Sequence, residues 1–347
     1  MQDKLQPLLK TVQRNCHISD ARHAGNYTLC VYLLKMREYF RWEKGYAFRD
    51  NLPEADVGDW LKERENFWET IEDESFAELP FDGERYDPFD NETINAALNP
   101  HGLVYSGGLG NKCTPHFFLG KLEHQQQESN FTVLVSVDEY ARDLTAPPAM
   151  ALDGTIYIRR ESLRRMIWER IEEWRWNRLE NAMGRAIRDF DFDSDTEQAL
   201  EDMTDTVLAS VLLHEQGEVL AGKSLGPEWG QMLASLPHSK LEIMIRAVRD
   251  LLADSLTTLP GLIQEENDAS LHFYFANLTG MQKYLSPTLM QGYETWVTQG
   301  QRNAIAELPP ASRTHWNALA NQLLELYRAN PDDLANRLQG LVENSKF

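Results

Sequence analysis

The feature that most restricts the fold is the run Leu212-Leu213-His214-Glu215-Gln216-Gly217-Glu218-Val219-Leu220. It sets three ionisable side chains where the aliphatic residues predict the buried face of a helix. On a wheel with Val207 at 0° and about 100° per residue, Val211 falls near 40°, Leu208 near 100° and Val219 near 120°. On the same wheel His214 falls near about 340°, Glu218 near 20° and Glu215 near 80°. Charge withdrawn from water is costly unless it is paired or bound to a metal. Any fold of this chain must therefore supply partners at this point.

A second segment, Arg246-Ala247-Val248-Arg249-Asp250-Leu251-Leu252-Ala253-Asp254, follows 32 residues after Glu218. Its aspartates are spaced i,i+4. Asp254 falls between Ile243 and Ala247 on the wheel, inside the apolar arc, and Asp250 falls at the edge of that arc, one turn from Arg246. Two chemistries suit such a set. In one, His214 and Glu218 project from one face as metal ligands, Asp250 or Asp254 supplies a third, and Glu215 takes a proton from metal-bound water. In the other, the groups form a buried polar network that fixes helix register, with His214 donating to Glu218 or Asp254 and Arg246 pairing with Asp250.

The H-E-x-x-E string resembles the H-E-x-x-H helix of gluzincin metallohydrolases over some 50 residues, with Gly217 as the small residue before the second ligand position and a glutamate in place of the second histidine. The resemblance implies metal at His214, Glu218 and one of Asp250 or Asp254, with Glu215 as general base. The oxygen-rich donor set suits zinc, and also manganese or iron. A redox site built from carboxylates would need a further Glu-x-x-His pair, which the sequence lacks.

Composition narrows the partners. A net charge of −20 argues against nucleic acid and anionic membrane, which would both repel the protein. Cys16, Cys30 and Cys113 are odd in number, lack C-x-x-C spacing and read as reduced thiols. No stretch approaches the roughly 18 uninterrupted apolar residues of a membrane span, and the N-terminus has no signal-peptide pattern, so the expected location is the cytoplasm.

Along the chain, residues 1–98 read as helical, with helices expected over 27–42 and 57–74 and an irregular, proline-bearing stretch from 79 to 100. Residues 99–160 carry strand patterns at 116–122, 131–137 and 155–159, the last behind the Asp153-Gly154 turn, and predict a small antiparallel sheet. Residues 161–347 return to helix. A long Trp-rich helix is expected over 161–190, and the last helix opens with Asn330 as N-cap and Pro331 behind it. The fold class is α+β, predominantly α-helical, with the small sheet between an N-terminal helical region and a larger C-terminal one.

Other candidates carry weaker chemistry. Asp20 and His23, at i,i+3, can pair or share an ion, but Ser19 or Asp20 more simply caps a helix beginning there. The loop from Ser106 to Lys112 is glycine-rich but lacks the Gly-Lys-Ser/Thr ending and leads into a strand, which predicts a hairpin connection. His101, His116 and His124 lie around the sheet, any of them a distant metal ligand. Trp168, Trp174 and Trp176 read as the packed face of a helix, against the sheet or a second subunit.

The strings at 16–43 (CHISDARHAGNYTLCVYLLKMREYFRWE), 214–218 and 250–262 (DLLADSLTTLPGL) also resemble a family of uncharacterised bacterial proteins over most of the chain. That resemblance implies a bacterial, cytoplasmic origin and no mechanism. The functional expectation is a metal-dependent hydrolase acting on an amide or ester of a small molecule or peptide. The alternative is a non-catalytic helical binding or scaffold protein, with homo-oligomerisation open in either case.

Overall fold

A computed structural model describes residues 2–110, 114–237, 239–265 and 267–347. The chain divides into two compact units, Met1–Glu169 with Phe192–Thr204, and Arg170–Asp191 with Asp205–Phe347.

The first unit opens with helices α1 (Gln2–His23), α2 (Leu29–Lys44) and α3 (Glu54–Glu69). A short hairpin, β1 (Leu79–Phe81) and β2 (Glu84–Tyr86), and helix α4 (Asn91–Leu98) fill the stretch expected to be irregular. Five strands follow: β3 (Leu103–Leu109), β4 (Pro115–Gln127), β5 (Thr132–Arg142), β6 (Ala149–Leu152) and β7 (Thr155–Arg159). They form one sheet in the order β3-β4-β5-β7-β6. Three pairings are antiparallel, as the sequence predicts, and β5 pairs with β7 in parallel. The Asp153-Gly154 turn, with both residues at positive φ, folds β6 onto β7 and delivers β7 to the free edge of β5.

Period-2 alternation sorts the sheet's side chains. Leu103, Tyr105, Phe117 and Leu119 pack with Leu8, Val12 and Cys16 of α1 and with Ile94 and Leu98 of α4. Val104, Phe118, Leu134 and Tyr157 pack together on the other face. A third cluster joins Ile18 of α1 to Met36, Tyr39 and Phe40 of α2 and to Trp60 and Trp68 of α3.

The remaining helices are α5 (Arg160–Asn177), α6 (Ala182–Ile187), α7 (Thr196–Leu225), α8 (Pro227–Ser235), α9 (Lys240–Ala253), α10 (Leu259–Gln264), α11 (Asp268–Asn277), α12 (Gly280–Leu285), α13 (Pro287–Gln299), α14 (Asn303–Ala306), α15 (Leu308–Ala329) and α16 (Leu334–Glu343). Both α5 and α7 have residues in each unit. In the second unit one core gathers Leu225, Trp229, Val248, Leu252, Trp316 and Leu323. Another gathers Leu259, Leu262, Phe275, Tyr293 and Trp296.

Two helix boundaries differ from the sequence reading. The expected helix over 161–190 breaks at Arg178, whose φ is +45°, and restarts behind Asn181, whose side chain accepts from Gly184 N–H. Asn330 caps no following helix. It ends α15 in the left-handed conformation, and Asp333 precedes α16.

Between α9 and α10 the backbone widens into a single π-helical turn, Asp254–Thr258. Pro260 explains it. Its nitrogen has no proton to donate to Leu256, and its ring would clash with that carbonyl in a regular helix.

Candidate functional site

The buried stripe of α7 in the second unit is not the arc that its large aliphatic residues suggest. Leu208, Val211 and Val219 are only half-buried, whereas Val207, Ser210, Gly217 and Ala221 are buried. These fall between about 280° and 0° on the wheel, and His214, near about 340°, lies inside that arc. Small residues mark it because α7 comes very close to the end of α9 and the π turn. A Cβ on Gly217 would lie 2.3 Å from the Ala253 carbonyl oxygen and 2.5 Å from Thr257 Oγ1. Thr257 spans the contact, its hydroxyl donating to the Leu213 carbonyl at 2.6 Å.

That approach brings His214 to Asp254, the first residue of the wide turn. His214 Nδ1 donates to Asp254 Oδ1 at 2.8 Å. Thr258 Oγ1 donates to the same oxygen at 3.0 Å, and the Tyr274 hydroxyl of α11 donates to Oδ2 at 3.1 Å. Asp254 is 2% exposed. Burial works against charge on His214, but the Asp254 carboxylate and its hydrogen bond, with Glu215 and Glu218 behind them, push the imidazole up to about 10. Glu215 itself is half-buried.

Glu218 turns to Arg249, whose guanidinium lies 2.5 Å from Oε2. Asp250 is pushed up to about 7, by burial and then by the charge of Glu218. Arg246 pairs with Glu242 at 2.9 Å, not with Asp250.

A metal ion needs neutral imidazole nitrogen and uncommitted carboxylate oxygen. The Asp254 carboxylate favours the protonated form of His214. Both Asp254 oxygens already accept hydrogen bonds, while Glu218 gives Oε2 to Arg249 and keeps a buried Oε1 with no hydrogen-bond partner among the described residues. Among the described residues no three His, Cys, Asp or Glu side chains are grouped to hold an ion. As arranged here, His214 and Asp254 are turned to each other and not to a common ion.

The first unit brings together candidates that the sequence keeps apart. Ser19 and Asp20 cap nothing, because α1 runs through both and ends at His23. Ser19 Oγ donates to the Pro115 carbonyl at 2.5 Å, and Asp20 Oδ1 accepts from Leu144 N–H at 2.9 Å. His116, near the start of β4, directs Nδ1 at Asp143 Oδ2, 3.3 Å away. Asp143 also accepts from Phe117 N–H at 3.2 Å and from Ala146 N–H at 2.6 Å. Burial opposes its charge, yet His116, Arg159 and the Ala146 N–H hold its carboxyl well below the usual range. Ser19, Asp20, His23, Tyr27, His116 and Thr145 line part of a cavity of about 280 Å³. Burial and then Arg22 and His116 push His23 down.

The other candidates disperse. His101 stands edge-on to Phe81, and His124 lies on an exposed stretch of β4. Ser106 to Leu109 complete β3, which pairs with β4 as in a hairpin, while Asn111, Lys112 and Cys113 lie outside the described residues. Cys16 is buried, its thiol donating to the Phe117 carbonyl, and Cys30 is exposed; both are free thiols. Trp168 is buried, and Trp176 is 72% exposed. Sequence reasoning missed Asp143, Thr258, Tyr274 and Arg249 as site residues. Asp143, Tyr274 and Arg249 have no spacing signal, since each reaches its partner across the fold, whereas Thr258 stands four residues after Asp254 on the same turn.

Family models of unknown function cover nearly the whole chain: the N-terminal domain of DUF6866 matches residues 7–159 and its C-terminal domain matches residues 164–345. No curated protein and no solved structure matches.

Proposed function

The chain belongs to DUF6866, a family of unknown function, and from its geometry we propose that it acts by binding, with the His214 cluster as a structural lock and not a hydrolytic centre. The observation that carries the structural lock is Asp254. Both of its oxygens are engaged, Oδ1 by His214 and the Thr258 hydroxyl and Oδ2 by the Tyr274 hydroxyl. Such a buried network fixes helix register because every shifted packing leaves one of its charges unpaired. Of the two neighbouring acids, Glu218 pairs through Oε2 with Arg249, and burial with the charge of Glu218 raises Asp250 to about 7.

The net charge of −20 directs the binding away from nucleic acid and anionic lipid. Among the described residues no helix is long and apolar enough to cross a membrane.

Elemental analysis after incubation with zinc, manganese and iron tests the reading. We expect no stoichiometric metal in the wild type, and a lowered melting temperature in the His214→Ala/Glu218→Ala double variant. Stoichiometric metal that disappears in that variant would overturn the reading. It would restore a hydrolase in which Glu215 takes the proton of metal-activated water.

A further inference from the structure

We draw no further inference here: the strongest candidate, the exposed apolar surface that Leu29, Val31 and Leu33 present on the first two turns of α2, carries no proposal, because nothing in the structure shows what covers it.

Discussion

Each unit holds a histidine whose Nδ1 faces an aspartate, and the two pairs are built from opposite materials. Asp143 follows the end of β5, and its carboxylate is held by backbone N–H groups of Phe117 and Ala146. Asp254 sits where helix runs into helix, and its carboxylate is held by the hydroxyls of Thr258 and Tyr274. The difference follows from hydrogen-bond supply. A helix interior spends its backbone donors on itself, so a carboxylate there must recruit side chains, whereas a loop beside a strand has N–H groups to spare. The backbone-held pair borders a cavity. In the hydroxyl-held pair Asp254 is buried while His214 stays partly exposed.

Removing each aspartate should separate the two designs most sharply. Asp143→Ala leaves two backbone N–H groups and His116 without their acceptor, and should cost about 4–5 kcal/mol. Asp254→Ala should cost less, about 2–3 kcal/mol, because hydroxyls can rotate and His214, whose side chain is 36% exposed, can give up its proton. Chemical denaturation of both variants measures this, and the reverse order would break the comparison. Gly217→Ala should cost about 1–3 kcal/mol, since the new methyl meets the Ala253 carbonyl in a contact with no slack. An unchanged denaturation midpoint would mean that the helices are free to separate.

Next come opposite pH dependences. His214 is raised to about 10 from an ordinary 6.5, so the folded state holds the extra proton. Its stabilisation is complete below pH 6.5 and is lost as pH rises through about 10. Asp250, raised to about 7 from 3.8, acts in the same direction over a lower window. In the first unit His17 is pushed down to about 3, by burial and then by Arg64. There the unfolded state binds the proton first, and stability is lost as pH falls from 6.5 towards 3. Hydrogen exchange followed peptide by peptide should show the second unit loosening in alkali and the first in acid. The same trend in both would remove these histidines as the cause. The smallest effect should come from Glu215→Gln, within about 0.5 kcal/mol by thermal denaturation, because glutamine keeps the side chain's shape and its capacity to accept a hydrogen bond.

The α+β class, the order of its regions and the Asp153-Gly154 hairpin were legible because local periodicity and turn chemistry carry them. The burial of Asp254 was legible too, from its place on an apolar arc. The arc around His214 misled because Leu208, Val211 and Val219 outweigh glycine and serine in hydrophobicity, while close packing here selects for small size. The meeting of Asp20 with His116 and Asp143 was not legible at all. It depends on α1 running unbroken to His23 and on its packing against β4 and β5, and no window of sequence contains that information.

The widened turn at Asp254–Thr258 also sets the phase of everything after it. A regular helix through Pro260 would carry one wheel from Val248 to Leu262. The surplus residue instead splits the run into two wheels offset by about 100°. One wheel turns Leu251 and Leu252 into the core with Trp316, and the other turns Leu259 and Leu262 towards Tyr293 and Trp296. A single-residue insertion thus acts as a gear between two cores, and trimming it would misalign one core against the other without altering a single side chain in either.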